Sequence, residues 1–411
     1  MTYDLIVIGG GPAGIMAAGR AAELGARVLL LEKNKNLGLK LLTTGHNRCN
    51  LSNAVSIREL VASFGENGKF LFSAFSKFNS EDTIEFFNEQ GLKTKTENNN
   101  RVFPVSDKSN DVLEVLKKYL KKNRVEIIFE AKVEKILKKE EKISKILLSD
   151  GREFFAKNYL IATGGLSYPT TGSSGDGYQW LKNLGHKIIK TYPALTPIII
   201  QGNFAKDLEG LSLLNVEFIL EKNKKILAKK NGEAIFTANG LSGPAIFALS
   251  GTVAKNLPEV NLIIDLLPEK NLTELDQYLQ KKFTSQPNKQ IKNILAEIFA
   301  SRLADKILEL AKINLSVKAN QINRVERKKL CATIKNINLK IVKVGGYDKA
   351  MLTVGGLDLK EIDPKTMRSK LIKNLFVAGE VLDLAGPTGG FNLQSCWSTG
   401  RLAGENSIII K

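Results

Sequence analysis

The chain has 411 residues, of which 43% are hydrophobic and 25% are charged. This composition is ordinary for a globular protein, and it excludes a disordered chain, a collagen-like repeat and a coiled-coil rod. At about 150 residues per domain, the length predicts two to three domains. No apolar run approaches the about 18 residues of a membrane helix, and Asp4 interrupts the start of the chain where a signal peptide needs an apolar core. We therefore expect a cytoplasmic, multidomain protein with no membrane partner.

Cysteine and histidine are scarce. Cys49, Cys331 and Cys396 are odd in number and far apart, which is typical of a reducing compartment and not of a disulfide framework. The two histidines are His46 and His186, and no two cysteines have the spacing of a zinc site, so we expect no metal. His186 follows the end of a predicted helix, where we expect it to cap the last carbonyl groups.

The net charge is high. Sixty Lys and Arg residues against 42 Asp and Glu residues give +18, a balance that a polyanion-binding protein also shows. Residues 201–345 carry 23 basic and 14 acidic side chains, which is only half of the excess. Because lysines alternate with glutamates, as in 132–145, we interpret the charge as a solvated surface and not as a nucleic-acid interface. The densest basic cluster consists of Arg324, Arg327, Lys328 and Lys329.

The first 32 residues have the pattern of a βαβ unit. A short β-branched strand from Tyr3 to Ile8 leads into a glycine-rich turn at 9–14. A helical stretch then runs to Leu24, and a second strand runs from Arg27 to Leu31. The turn reads G-x-G-x-x-G in this setting, which predicts a dinucleotide-binding unit.

Each part of this turn has a distinct physical role. Gly9 allows the tight turn, Gly11 lets a pyrophosphate approach the backbone, and Gly14 lets helix and strand pack closely. Pro12 stands at the first helical position, where its missing N–H costs nothing. Glu32, at the end of the second strand, can accept hydrogen bonds from a ribose diol. The predicted cofactor contacts of this unit are Gly9, Gly11, Pro12, Ala13, Gly14, Glu32 and Lys33.

Further strands and a second glycine turn follow. Predicted strands lie at 125–129, 133–136, 143–148, 153–155 and 158–162. The last of them ends in Thr163, Gly164 and Gly165, which we predict to contact the cofactor, the alternative being a tight strand end. Val133 is a further predicted contact. A glycine-rich loop at 172–177 then leads into a helix to Leu184.

The pattern changes in the middle of the chain and returns at its end. Short strands up to about residue 267 are followed by a helical period over 271–334. A strand at 375–378 and a last helix at about 391–406 then repeat the strand, glycine turn and helix pattern of the start of the chain. We therefore predict a nucleotide-binding domain from residues 1–190 and 346–411, an inserted β domain from 191–267 and 335–345, and an inserted helical domain from 268–334.

The C-terminal glycines indicate FAD and not NAD. A dehydrogenase needs only the first fingerprint, whereas here a second strand ends in Gly379-Glu380 and a second helix begins after Gly389-Gly390. In a flavoprotein such a strand end contacts the ribityl or pyrophosphate region. A helix N-terminus stabilises negative charge near N1 and O2 of the reduced flavin. The predicted contacts here are Gly379, Glu380, Gly389, Gly390, Phe391, Asn392 and Leu393.

Several motifs occur in a fixed order along almost the whole chain. They are Val7-Ile8-Gly9-Gly10-Gly11-Pro12-Ala13-Gly14, Gly45-His46-Asn47-Arg48-Cys49-Asn50-Leu51-Ser52-Asn53, Ala162-Thr163-Gly164-Gly165, Gly175-Asp176-Gly177, Leu241-Ser242-Gly243-Pro244-Ala245, Thr353-Val354-Gly355-Gly356, Thr366-Met367-Arg368-Ser369-Lys370, and Ala378-Gly379-Glu380-Val381-Leu382-Asp383 through Gln394. In this combination the chain resembles the BaiN/YhiN-type flavoproteins, a family that also contains aminoacetone oxidase-like enzymes.

The resemblance implies an α/β fold and a redox activity. It implies FAD bound by a Rossmann-like, two-dinucleotide-binding-domain-type domain built from both chain ends, with an inserted β-barrel-like and helical module. It also implies NAD(P)H-linked reduction or oxidase chemistry on a small organic molecule. The chain departs from many relatives at Thr44-Gly45-His46-Asn47, where they read Ser-Gly-Gly-Gly. It departs again at Phe236-Thr237-Ala238, where they often read Phe-Thr-His, and this leaves a shared substrate open.

Five residues are candidates for catalysis. Arg48 would place positive charge near the flavin, and Asn50 would bond its pyrimidine edge; both are also predicted cofactor contacts, as is Cys49. Cys49 is either a redox thiol without a local partner or a small residue lining the site. His46 is a general acid or a loop-fixing residue. Tyr168 is a proton donor or a packing residue.

These observations predict an FAD-dependent oxidoreductase that acts on a small-molecule substrate by hydride transfer at flavin N5. Only one full dinucleotide fingerprint is present, so NAD(P)H would bind at a transient site, or electrons would come from the substrate and leave to oxygen. We favour the NAD(P)H-linked reductase. The alternatives are an amine oxidase-type enzyme, an RNA-modifying flavoenzyme and a non-catalytic flavin redox sensor. No pattern in the sequence sets an oligomeric state.

Overall fold

A computed structural model describes residues 2–409, which divide into two compact units. The first unit consists of residues 2–192 and 350–409, and the second of residues 193–349, which interrupt it in the chain. No helix among the described residues is long and apolar enough to cross a membrane.

Residues 2–409 form 19 strands and 14 α-helices. The strands are β1 Tyr3–Ile8, β2 Val28–Leu31, β3 Ser52–Asn53, β4 Thr94–Glu97, β5 Arg101–Pro104, β6 Glu126–Ile128, β7 Val133–Lys139, β8 Lys142–Leu148, β9 Glu153–Phe154, β10 Ala156–Ile161, β11 Ile188–Ala194, β12 Ile198–Ile200, β13 Ser212–Lys222, β14 Lys225–Thr237, β15 Gly240–Ser242, β16 Asn261–Asp265, β17 Ile337–Val344, β18 Leu352–Leu357 and β19 Leu375–Val377. The helices are α1 Pro12–Glu23, α2 Leu39–Thr43, α3 Ile57–Ala62, α4 Phe72–Lys77, α5 Ser80–Glu89, α6 Ser109–Lys122, α7 Asp176–Asn183, α8 Phe204–Asp207, α9 Pro244–Asn256, α10 Leu272–Ser285, α11 Ile291–Leu295, α12 Ser301–Ala311, α13 Arg324–Lys335 and α14 Phe391–Ile409.

A five-stranded parallel sheet is the centre of the first unit. Its strand order is β19-β10-β1-β2-β6, so strands from both chain ends pair with one another. The near-continuous apolar runs of β1 and β2 are buried, as expected of parallel strands covered on both faces. This confirms the predicted α/β fold class and the βαβ unit at the start of the chain.

Helices α1 and α14 pack closely beside this sheet because two glycines of α14 leave room for α1. A Cβ atom at Gly400 would overlap the carbonyl oxygen of Ala13, and one at Gly404 would overlap that of Ala17. The first turns of both helices are thereby held close to the same end of the sheet.

The second unit is a closed barrel with helices. The barrel has the strand order β12-β15-β14-β13-β16-β17, and Phe218 and Phe236 are buried in its core. Helix α9 lies where the sequence predicted only short strands. Gly243, with φ 108°, turns the chain, and Pro244 occupies the first helical position, so the helix begins at the proline.

Candidate functional site

A cleft of about 1290 Å³, including its open side, lies in the first unit beyond the carboxyl ends of β1, β2 and β10. Ligands of open α/β sheets bind at this edge. Predicted cofactor contacts that line the cleft are Gly9, Gly11, Pro12, Ala13, Glu32, Lys33, Val133, Thr163, Gly164, Gly379, Glu380, Asn392 and Leu393. The sequence analysis did not predict several other lining residues as cofactor contacts, among them Gly10, Asn34, Lys40, Ser173, Asp176, Trp180, Ser395 and Cys396.

The glycine turn after β1 is tight on one side and open on the other. Gly9 has φ 108°, and a Cβ there would lie 2.6 Å from the carbonyl oxygen of Ala162. A Cβ at Gly14 would overlap the Gly9 carbonyl oxygen. A Cβ at Gly11, by contrast, would meet no atom of the described residues within 4 Å. The turn therefore exposes its backbone at Gly11, where an anionic ligand can approach.

The N-terminus of α1 has free donors at the wall of the cleft. Gly11 is its N-cap without a side-chain cap, and Pro12 has no N–H. The first amides able to donate outward are those of Ala13 and Gly14, because the amide of Ile15 already donates to the Gly11 carbonyl. A helix N-terminus with free amides is an anion site suited to a pyrophosphate.

Glu32 is fixed at the end of β2 by backbone and side-chain donors. One carboxylate oxygen accepts from the amide of Gly10 at 2.8 Å. The other accepts from the amide and the side chain of Asn34, each at 2.8 Å. A carboxylate has about four acceptor positions, so one stays available for a ribose hydroxyl.

The neighbouring Lys33 contacts the loop before α7. Its ammonium lies 2.7 Å from Asp176 Oδ2 and also contacts Ser174. Burial acts to raise the pKa of Asp176, but hydrogen bonds from Lys33 and Ser174 outweigh it and lower that pKa. This side of the cleft is therefore closed by an ion pair between residues far apart in sequence.

Gly379 and Glu380 lie beside α1. A Cβ at Gly379, with φ 80°, would be 2.8 Å from the Cβ of Ala13, so only glycine fits this approach. Glu380 accepts from the ammonium of Lys40 at 2.6 Å and from the amide of Thr353 at 2.9 Å. This strand end therefore brings a half-buried carboxylate and a lysine to the wall of the cleft.

The first turn of α14 forms another part of the wall. Asn392 accepts from the amide of Gly386 at 2.8 Å and donates back to its carbonyl at 3.0 Å, which folds the preceding loop onto the helix. Gly389 and Gly390 have φ values of 116° and 99°, and neither they nor Phe391 are among the residues that line the cleft. The amides of the first turn have no intrahelical acceptors and are available to a ligand.

The segment around Arg48 lies outside the wall. Arg48 donates to Glu97 and Asp107, and its guanidinium stacks on Phe103 at 4.1 Å. Burial raises the pKa of the Cys49 thiol to about 12, so the thiol is protonated at neutral pH. The buried Oδ1 of Asn50 has no hydrogen-bond partner among the described residues.

The other predicted residues outside the wall are His46, Tyr168, Gly14 and Gly165. His46 is exposed and has φ 57°. Tyr168 is half-buried, and its carbonyl accepts from the amide of Thr171. None of the five catalytic candidates, Arg48, Cys49, Asn50, His46 and Tyr168, is among the residues that line the cleft.

The cleft fits FAD. Its open glycine backbone, free helix amides and anchored Glu32 suit the ADP half of a dinucleotide. Thr163 lines the cleft, and its hydroxyl, which lies against Gly177, is buried and without a partner among residues 2–409. The second helix terminus adds the donors that suit a flavin. Together the fold and the cleft define a dinucleotide-binding flavoprotein.

The chain belongs to the family described as HI0933-like protein Rossmann domain, whose model matches residues 3–406. It is 33% identical over 408 residues to a 3-dehydro-bile acid delta(4,6)-reductase of Clostridium scindens, covering 97% of each chain. It is 29% identical over 409 residues to the ribosomal RNA dihydrouridine synthase of Escherichia coli, covering 100% of this chain and 99% of the relative. The enzyme of the same name from Haemophilus influenzae is 30% identical over 400 residues, covering 96% of each.

Solved flavoenzyme structures share the fold. A 3-ketosteroid delta1-dehydrogenase from Sterolibacterium denitrificans aligns over 100% of both chains with a TM-score of 0.55 and 14% identity. A flavocytochrome c3 fumarate reductase aligns over 99% of this chain and 78% of its own with a TM-score of 0.54 and 15% identity. The resemblance to the BaiN/YhiN-type family is confirmed, and the protein is an FAD-dependent oxidoreductase.

Proposed function

We propose that the protein reduces a carbon–carbon double bond conjugated to a carbonyl group, with NAD(P)H as the electron donor. The supporting observation is full-length similarity to relatives with two different substrates. The name of the first describes reduction of the 4,6 double bonds of a 3-keto bile acid, and that of the second describes saturation of a uracil ring. In both substrates the double bond is conjugated to a carbonyl, which can take up negative charge as a hydride is added.

The residues of the cleft bind and orient the cofactor in this proposal. Bound FAD supplies the chemistry by accepting a hydride from the nicotinamide and passing one to the substrate carbon. The amides at the start of α1 hold the diphosphate, and Glu32 holds a ribose hydroxyl. The amides at the start of α14 stabilise negative charge at one edge of the flavin.

The buried, protonated cysteines are an argument for an external electron donor. Burial raises the pKa of the thiols of Cys49 and Cys396 to about 12, with the charge of Glu380 adding to the effect at Cys396. All three cysteines are free thiols, and none forms a disulfide within residues 2–409. Since thiol–disulfide exchange requires a thiolate, a nicotinamide is the better-supported source of electrons.

A proton donor completes the reduction, and we propose Tyr168 for this role. Its loop joins Gly164 to Thr171, and both of those residues line the cleft. His46, which is exposed, is the second candidate. Arg48 is engaged by Glu97 and Asp107, which makes it a candidate for positioning its loop and not for contact with the substrate.

A uracil ring within an RNA is the second candidate substrate. Two relatives named ribosomal RNA dihydrouridine synthase match the chain over 96–100% of its length. The formal charge of +18 favours a polyanionic partner, because Lys and Arg side chains attract the phosphates of an RNA. A small unsaturated ketone and an RNA uracil therefore call for the same reductive step and differ in how the substrate is bound.

An anaerobic absorbance titration tests the proposal. The purified holoprotein is titrated with NADH and, separately, with NADPH, and we expect the visible flavin band to bleach with one equivalent. A 3-oxo-4-ene steroid or a uridine-containing ribosomal RNA fragment is then added without oxygen. Reoxidation by the steroid supports the small-molecule substrate, and reoxidation by the RNA supports the second candidate. A flavin that reacts with an amine substrate and oxygen, and not with either nicotinamide, would contradict the reductase.

A further inference from the structure

Lys40 is a lysine of the cleft wall to which the motifs of the sequence give no role. It lies on the short helix α2, and its ammonium is 2.6 Å from Glu380 Oε2. The two side chains are only 20% and 12% exposed, so the pair is largely removed from bulk water. An ion pair at such a place is far less screened than one on the surface.

Both partners of this pair are anchored by hydrogen bonds, Lys40 through the start of its helix at the glycine turn and Glu380 directly through its carboxylate. Gly38, which begins α2 with φ 64°, donates its amide to the carbonyl of Gly10 at 2.9 Å. The other oxygen of Glu380 accepts from the amide of Thr353 at 2.9 Å and from the hydroxyl of Ser167 at 3.3 Å. The position of the Lys40 ammonium is therefore fixed both by the anchored start of α2 and by the anchored carboxylate of Glu380.

The ammonium of Lys40 has donors to spare. It carries three N–H groups, and among residues 2–409 its only recorded acceptor is Glu380. Lys33, the other lysine of the wall, already donates to both Asp176 and Ser174. Two uncommitted donors at Lys40 thus face a cleft that holds an anionic cofactor.

The start of α1 by itself supplies few donors for a diphosphate. Pro12 has no N–H, and the amides of Ala13 and Gly14 are the first that are free. Gly379, next to Glu380, approaches Ala13 so closely that an added Cβ would be 2.8 Å from the Ala13 Cβ. The Lys40–Glu380 pair is therefore adjacent to the helix terminus that receives the diphosphate.

We propose that Lys40 binds the diphosphate of FAD as its side-chain cation, with Glu380 holding the ammonium in place. The inference concerns the bound cofactor, which the family establishes, and it does not depend on which substrate is reduced. It predicts that the contribution of Lys40 appears with ADP as well as with FAD, since the diphosphate is common to both.

Binding measurements on the full-length chain test this role without any assay of turnover. Lys40→Met should weaken binding of FAD, and of ADP to the flavin-free protein, by about 10- to 100-fold, the range of a charge-assisted hydrogen bond. Lys40→Arg should restore most of the affinity because it keeps the charge. The control is Lys145→Met, which breaks a 2.7 Å ion pair with Glu153 that is not part of the cleft and should leave both affinities unchanged.

The double variant Lys40→Met/Glu380→Gln separates ligand binding from the loss of a counter-ion. It leaves no unpaired carboxylate and has the same net charge as the wild type, so it should recover the thermal stability that Lys40→Met loses. If Lys40 binds the diphosphate, the double variant still binds ADP weakly. Wild-type affinity for ADP in the double variant would show that Lys40 only neutralises Glu380. Loss of FAD affinity with unchanged ADP affinity would place Lys40 at the riboflavin half, and either result would overturn the proposal.

Discussion

The imidazole of His186 bridges Glu361 and Ser369 in the interior of the first unit. Its Nδ1 lies 2.8 Å from Glu361 Oε2, and its Nε2 lies 3.0 Å from Ser369 Oγ. Ser369 Oγ also accepts from the amides of Leu371 and Ile372. Because both lone pairs of the hydroxyl are used, its hydrogen points to Nε2, and Nδ1–H donates to Glu361. The amide of His186 caps the Leu181 carbonyl at the end of α7, as the sequence predicted, whereas its imidazole forms this buried bridge.

Replacing this histidine should destabilise the protein strongly. His186→Phe removes the imidazole hydrogen bonds to Glu361 and Ser369 and leaves only the backbone amides that these side chains also bond, and we expect a loss of about 2–4 kcal/mol in the free energy of unfolding. Urea unfolding followed by circular dichroism measures it. The control is His46→Asn, which removes the exposed histidine and should cost below about 0.5 kcal/mol. Equal losses in the two variants would show that the buried hydrogen bonds of His186 contribute no more to the free energy of unfolding than the exposed His46 does.

Gly11→Val should separate cofactor binding from folding. The backbone at Gly11 is extended, with φ −86° and ψ −177°, and a Cβ there meets no protein atom within 4 Å. Valine therefore fits the protein but occupies the path of the diphosphate, so we expect FAD affinity to fall by more than about 100-fold at nearly unchanged apoprotein stability. Fluorescence titration with FAD and a thermal melt measure the two effects.

The matched variant is Gly14→Ala. There the added Cβ overlaps the Gly9 carbonyl oxygen, so stability and FAD binding should fall together. Stoichiometric FAD in purified Gly11→Val would contradict the placement of the diphosphate.

The buried thiols should make the protein less stable in alkali. The pKa of Cys49 is raised by burial from 9.0 to about 12, so the folded state keeps a proton that the unfolded state loses above pH 9. The stabilisation is therefore complete below pH 9 and falls by about 1.4 kcal/mol per pH unit between pH 9 and 12. Cys49→Ala removes this term, and the slope of unfolding free energy against pH above 9 should become shallower by about one proton.

Gly400→Ala should weaken FAD binding, although Gly400 does not line the cleft. The added methyl group overlaps the Ala13 carbonyl oxygen and pushes α14 away from α1, and the first turns of both helices line the cleft. We expect a loss of about 1–3 kcal/mol in stability together with weaker FAD binding. Asn406→Ala is the control, because among residues 2–409 that side chain bonds only the preceding turn of its own helix at Leu402. Unchanged FAD affinity in Gly400→Ala would show that the two helix termini are set independently.

Local patterns predicted the elements at both ends of the first unit, but they predicted none of those between residues 33 and 124, where α2–α6 and β3–β5 lie. The alternation of apolar strand, glycine turn and helix at residues 3–31 follows from backbone chemistry over a few residues, and the structure has these elements at the expected places. The strand before Gly379 and the helix after Gly390 were predicted for the same reason. Helix α9 was missed because its apolar residues lie all around the helix, so the sequence shows no clear face.

Local sequence patterns predicted only part of the candidate site. The glycine turn, the acidic residue after β2 and the second helix terminus could be predicted from the sequence, because each depends on neighbours in the chain. The ion pairs could not be predicted in this way: the folded chain pairs Lys40 with Glu380, Lys33 with Asp176, and Arg48 with Glu97 and Asp107. A charged side chain takes whichever partner the folded backbone brings within about 3 Å, and that choice leaves no periodic signal in the sequence.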